Sequence, residues 1–170
     1  MKKIKNKITI LIAIFMLSNS VIAQVYKADI IATGLTCSMC SNAIKKQLKT
    51  IESVDSIATD LNTNTFSVFF KKDQAIVPSI LKEKVENAGF FVGSMQLDLD
   101  VSYLTSNSTQ FINMNTSDLK NKKTVTIQIL DKGYVTYKTY KKLEKQFAKV
   151  SSYLKQNETD FHFKIINYEK

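Results

Sequence analysis

Between Tyr26 and Leu97 the spacing of apolar residues moves repeatedly between a period of two and a period near 3.6, and few folds accommodate that succession. Tyr26, Ala28, Ile30 and Ala32 alternate with polar Lys27, Asp29 and Thr33 as a half-buried strand does. Gly34-Leu35-Thr36 breaks the alternation. From about Ser38, Cys40, Ile44, Leu48 and Ile51 then fall on one face of a helix, with Lys45, Lys46 and Lys49 off that face. A second strand covers about 54–61, with Ile57, Thr59 and Leu61 on one side. Asn62-Thr63-Asn64 supplies turn residues that tolerate left-handed backbone. Thr65 to Lys71 carries Phe66, Val68 and Phe70 inward as a third strand. Pro78 suits the first turn of a second helix, with Leu81, Val85 and Ala88 in register and Gly89 just past its end. Phe90 to Leu97 is a fourth strand. The order is βαββαβ.

That order is the ferredoxin-like arrangement, an α+β fold. Cys37-Ser38-Met39-Cys40 sits in it at the first strand-to-helix junction. A disulfide closing so short a loop constrains little of the unfolded chain, so the pair reads as functional rather than as a staple. Two thiolates are soft donors that suit Cu(I), with Hg(II), Cd(II) and Zn(II) as competitors. Unpaired N–H groups and the dipole at a helix start favour the thiolate form. A structural tetrahedral zinc site takes four ligands, and beyond this pair the chain offers only His162, far away in sequence. The under-coordinated pair suits a carrier: a partner's thiolate attacks, passes through a three-coordinate intermediate and takes the metal. Cys37 and Cys40 are the candidate metal ligands, and two-coordinate Cu(I) with ligand exchange is the leading mechanism.

Gly34-Leu35-Thr36-Cys37-Ser38-Met39-Cys40, between a strand and a helix, resembles the heavy-metal-associated domain of copper chaperones, copper-ATPase modules and the periplasmic mercury-binding protein. The family signature is Gly-Met-Thr-Cys-x-x-Cys; Leu35 stands where the family has methionine, a packing anchor rather than a ligand. Val54 to Phe70 and Ala88-Gly89-Phe90 also resemble the family's later strands and the loop beside its metal, so the likeness covers residues 24–96. The resemblance implies a metal-donor or acceptor partner such as a metal-transporting ATPase or its metal-binding module. It also makes Phe90 the counterpart of an aromatic that covers the metal loop, a role compatible with a place in the core. Met39 is expected to face solvent or pack rather than ligate. Lys45, Lys46 and Lys49 form a solvated face that could also dock an acidic partner.

A rival reading of the same pair is thiol–disulfide exchange, since Cys-x-x-Cys opening a helix is also the thioredoxin arrangement. The chain has no tryptophan, Pro78 stands at a helix start, and two consecutive strands follow the first helix where thioredoxin alternates. No Gly-rich phosphate loop, His-Glu-x-x-His or nucleophile beside a base supports another enzyme activity, so the chain is read as a non-enzyme.

Residues 1–23 read as an address. Lys2, Lys3, Lys5 and Lys7 precede the apolar run Ile8–Leu17, and Ser18–Ala23 is small and polar. This is the secretory signal-peptide pattern, with cleavage expected between Ala23 and Gln24. The run is ten residues long, whereas a span takes about 20. A periplasmic or secreted chain without stable membrane insertion is therefore expected. All 24 basic residues are lysine. After residue 23, 20 lysines face 15 acids, a balance of +5. Without arginine, the residue suited to bidentate reading of guanine and phosphate, that excess gives no nucleic-acid signature.

Residues 98–170 fall outside the resemblance and are expected as a second, small β-rich α+β module, β-β-β-α-β. The expected elements are an alternating strand with Leu97, Leu99, Val101 and Tyr103, then Phe111–Met114 and Val125–Ile129. A helix N-capped by Thr136 follows, in which Tyr140, Leu143, Phe147, Val150 and Leu154 form one stripe, and a last strand runs from Phe161 to Ile166. His162 alternates with Phe161 and Phe163, so its side chain is expected opposite theirs, on the surface. The module shows no metal-ligand cluster, and docking, oligomerisation or packing on the first sheet are its candidate roles.

Overall fold

The computed structural model describes residues 24–35, 38–72, 74, 76–115, 119 and 122–168. The proposed signal segment lies outside them, as do Thr36 and Cys37. In chain order the elements are β1 (Val25–Thr33), α1 (Ser38–Leu48), β2 (Val54–Asp60), β3 (Thr65–Phe70), α2 (Pro78–Asn87), β4 (Phe91–Asp100), α3 (Val101–Ser106), β5 (Phe111–Asn113), β6 (Thr124–Ile129), α4 (Tyr137–Gln146), α5 (Ser151–Lys155) and β7 (Phe161–Tyr168).

The strands form one seven-stranded sheet in the order β2-β3-β1-β4-β6-β7-β5. Its first four strands, all paired antiparallel, are the ferredoxin-like unit expected from the sequence. β4 does not end at residue 97. It continues to Asp100, and its far edge pairs antiparallel with β6 from Gln96↔Gln128 to Asp100↔Thr124. The second half thus extends the first half's sheet.

Alternation along each strand sends Ala28, Ile30, Phe66, Val68, Met95, Leu97, Val125, Ile127, Phe161 and Phe163 into one core. Ile44 and Leu48 of α1, Leu81 and Val85 of α2, and Tyr103 and Leu104 of α3 belong to the same core. Full burial of Ile44, Leu48, Leu81 and Val85 stabilises the fold by about 1.5–3 kcal/mol for each side chain. Tyr103 also donates its hydroxyl to the Ile76 carbonyl at 3.0 Å. A second, smaller cluster of Leu130, Val135, Tyr140 and Tyr153, joined by Leu143, Phe147 and Val150, seats α4 and α5 on the second half.

Two expectations for the second half need correction. Val101 and Tyr103 are not strand residues: the chain turns into α3 after Asp100, and the alternation of Leu97 and Leu99 ends there. The Tyr140–Leu154 stripe is not one helix. The chain leaves α4 at Phe147, is extended at Val150, and re-enters a helix at Ser151. The element order after β4 is therefore α-β-β-α-α-β. Thr136 caps α4 as expected, its Oγ1 accepting from the Thr139 N–H at 3.2 Å.

Candidate metal centre

The centre is built where β1 runs into α1. Gly34 adopts φ +90, a left-handed conformation that turns the chain out of the sheet. Leu35, the position that departs from the family signature, is half-buried against the main core, as a packing anchor would be. α1 then starts at Ser38 with Cys40 in its first turn, half-buried. Cys37, the other candidate ligand, lies outside the described residues. Ser41, Ile44 and Leu48 are the buried positions of α1, so they fix its rotation and hold Cys40 near the sheet end. No acid stands in the first turn of α1, whereas Lys45 and Lys46 stand in its last. The positive end of the helix is thus left to stabilise a thiolate, and the lysines complement the negative end.

The α2–β4 turn supplies the neighbouring wall. Gly89, at φ +88, donates to the Glu86 carbonyl at 2.8 Å, and the Phe90 N–H donates to the Val85 carbonyl at 3.2 Å. These are the two bonds of a Schellman motif, which needs a left-handed residue at this position. The motif aims Phe90 at the base of the metal loop: its Cδ1 is 3.8 Å from where a Cβ on Gly34 would stand. Phe90 is also half-buried against the core, so the two readings of this residue coexist. Met39 is 79% exposed. Lys46 and Lys49 are exposed and Lys45 half-buried, on the flank of α1.

His162 does not join the centre. Its ring does point away from Phe161 and Phe163, as the alternation predicts, but it is 0% exposed and not on the surface. Nδ1 lies 2.7 Å from Asp131 Oδ1 and Nε2 lies 3.0 Å from Ser152 Oγ. The Tyr153 ring packs nearly perpendicular against it, with centroids 5.2 Å apart. Asp–His–Ser bonding of this kind also occurs in hydrolases, where the histidine must reach the leaving group. A fully enclosed ring cannot. Here the three residues latch α5 to the sheet. Asp131 and Ser152 were missed in the sequence because Asp131 reads as a turn residue before Lys132-Gly133, and nothing ties Ser152 to either partner. Among the described residues no group of three or more His, Cys, Asp or Glu is placed to hold a metal.

A ferredoxin-like unit with a cysteine pair at its first strand–helix junction defines the class of small soft-metal-binding domains. Residues 30–91 match the model of the heavy-metal-associated domain, and this part of the chain is a heavy-metal-associated domain resembling copper chaperones and copper-ATPase metal-binding domains. Copper-exporting P-type ATPases of Staphylococcus aureus, in strains Newman and COL among others, are 29% identical over 83 residues. The match covers 49% of this chain and 10% of the ATPase, so the chain spans about a tenth of the length of these relatives. Among solved structures, the yeast copper transporter domain Ccc2a is 29% identical, covering 38% of this chain and 88% of that domain at a TM-score of 0.35. A copper-binding domain from the P-type ATPase HMA7 is 32% identical, covering 38% of this chain and 86% of its own, also at 0.35. The assignment rests on the family match and the strand order.

Proposed function

We propose that the chain is an exported soft-metal carrier or scavenger that holds Cu(I) between the thiolates of Cys37 and Cys40. The carrying observation is Cys40 in the first turn of a helix whose positive end has no acid beside it, inside a matched heavy-metal-associated domain. The positive helix end offsets the net negative charge of a dithiolate–Cu(I) centre, and the low coordination number lets an incoming thiolate displace one ligand at a time. The matched ATPases are named for copper export, which supports copper over Hg(II), Zn(II) or Cd(II) as the cargo. It also supports a metal-transporting ATPase or its metal-binding module as the exchange partner. We read the matched domain as a binder without catalysis of its own. The basic and apolar pattern of residues 1–23 supports export to the periplasm or medium, with residues 98–170 travelling as the sheet extension.

Anaerobic titration with Cu(I) tests the reading. The reduced chain from Gln24 takes up one equivalent, and the Cys37→Ser, Cys40→Ser double variant takes up none at that affinity. Equal uptake by both would remove the basis of the proposal.

A further inference from the structure

We propose that α4 and α5 form a membrane-contact face that adsorbs the protein on an anionic bilayer surface. The inference goes beyond the metal centre and stands without it. Residues 137–155 carry six lysines against Glu144 alone, a net of +5. That equals the whole balance of residues 24–170, so the rest of that stretch is neutral as a sum. Lys138, Lys142 and Lys145 are exposed and recur at i, i+4 and i+7, one stripe of α4 opposite the buried Tyr140 and half-buried Leu143 and Phe147. Lys149, in the turn between the two helices, and Lys155, the last residue of α5, are also exposed and continue the charge.

Apolar groups stand exposed among these charges. Tyr137 opens α4 at 70% exposure and Leu154 in α5 is 47% exposed. Lys141 Nζ lies 5.8 Å from the Tyr137 ring centroid, so ring and cation are presented together. Phe91, 68% exposed, lines the same apolar groove as Tyr137, Val135 and Tyr140, a cavity of about 550 Å³. A basic helix stripe bordered by exposed aromatics is the pattern of an interfacial helix, whose rings sit at headgroup depth while lysines reach the phosphates. The exposed Tyr137, Phe91 and Leu154 beside the lysines favour a lipid surface over an acidic protein, because an interfacial site seats apolar groups below the headgroups while lysines reach the phosphates. Adsorption and not insertion is meant: among the described residues no helix is long and apolar enough to cross a membrane.

The face also borders the end of β1. Thr33, the last residue of β1, lines the groove with Phe91 and Tyr137, and Val135 bridges to Ser94 of β4. A protein lying on α4 and α5 therefore keeps the end of β1, which leads towards α1 and Cys40, beside the contact face.

The test uses the chain from Gln24, which carries every described element and lacks the apolar run that would itself bind lipid. Co-sedimentation is measured with phosphatidylcholine vesicles and with vesicles that also contain phosphatidylglycerol. The chain partitions onto the anionic vesicles and leaves the neutral ones in solution. Binding is lost between ~0.01 M and ~1 M salt, where the screening length falls from about 30 Å to about 3 Å. A Lys138→Glu, Lys142→Glu, Lys145→Glu variant binds at least about tenfold more weakly, since each lysine near an anionic leaflet strengthens the attraction about fivefold. Lys46→Glu, Lys49→Glu, Lys72→Glu changes net charge equally at exposed positions elsewhere and keeps most of the binding. Equal loss in the two variants, or no partitioning at low salt, would overturn the proposal. Capture by soluble polyglutamate but not by vesicles would also overturn it, in favour of an acidic protein partner.

Discussion

Nδ1 of His162 and Oδ1 of Asp131 lie 2.7 Å apart, and the second oxygen of the same carboxylate accepts the His162 backbone N–H at 2.6 Å. One buried carboxylate therefore holds both the ring and the backbone of β7. The carboxylate only accepts, so Nδ1 carries a proton and donates it to Asp131, while Nε2 meets the Ser152 hydroxyl. The bond chain runs from Asp131 after β6, through β7, to α5, and Tyr153 adds a hydrogen bond from its hydroxyl to the Leu130 carbonyl at 2.8 Å.

Asp131→Ala leaves two enclosed donors of His162 without acceptors, and each unsatisfied buried donor costs about 1–3 kcal/mol. We expect a loss of about 2–5 kcal/mol on that basis, read from the urea midpoint, with amides of α4 and α5 losing hydrogen-exchange protection first. Stoichiometric Cu(I) uptake is retained, because Asp131, His162 and Ser152 all lie outside β1 and α1, the elements that flank the cysteine pair. A midpoint shift close to zero would show that solvent replaces the carboxylate.

Tyr26 and Asp100 give a pH prediction. The Tyr26 hydroxyl donates to Asp100 Oδ1 at 2.7 Å, joining the start of β1 to the end of β4. Burial first, then the hydrogen bond to Asp100 and its charge, pushes the phenol from 10.0 up to about 12. Below pH 10 both folded and unfolded chains keep the proton, so the bond contributes in full. Between pH 10 and about 12 the unfolded chain gives up its proton first, and stability falls as pH rises through this window. Tyr26→Phe removes the phenol and should flatten that part of the stability–pH curve. An unchanged slope in the variant would assign the alkaline loss to other tyrosines.

The first half was legible because each of its elements announces itself locally. The alternation of β1, the single apolar face of α1, Pro78 at the start of α2 and Gly89 at its end each mark an element with residues inside or next to it. The second half was harder because its decisive signals are non-local. Val101-Ser102-Tyr103 continues a two-residue alternation, yet the chain turns there because Tyr103 finds the Ile76 carbonyl 27 residues away. No glycine or proline marks the break between α4 and α5; it follows from Phe147, Val150 and Tyr153 all reaching one small cluster. The alternation of Phe161, His162 and Phe163 gives the direction of His162. Its burial depends on a helix that sequence alone does not place over that face. The place of Cys40 in the first turn of α1 follows from spacing, while Phe90 beside Gly34 was expected only from the family resemblance.

Gly89→Ala isolates the backbone requirement of the Schellman turn. A Cβ on Gly89 meets nothing within 4 Å, so the substitution is spatially open. The strain lies in φ +88, where a side chain costs about 1–2 kcal/mol. The expected outcome is a destabilisation of that order in urea unfolding, with Cu(I) stoichiometry unchanged. A loss several times larger would mean that Phe90 had left its seat at the metal loop.

Single substitutions resolve the metal centre more finely than the double variant. With two thiolates holding Cu(I), Cys40→Ser and Cys37→Ser each leave one soft ligand and a hard hydroxyl, which copper(I) disfavours. Each should weaken Cu(I) by several orders of magnitude in competition with a Cu(I)-specific chelator, to similar extents. Met39 lies between them in sequence, and its largely exposed side chain makes no buried contact that the metal would need. Met39→Ala should therefore hold copper within about twofold of the parent, the range of ordinary surface substitutions. If Met39→Ala fell as far as either cysteine variant, the centre would be a three-ligand site and the carrier mechanism by thiolate displacement would have to be redrawn. If only Cys40→Ser fell, Cys37 would not be a ligand, and the two-thiolate carrier mechanism would not stand.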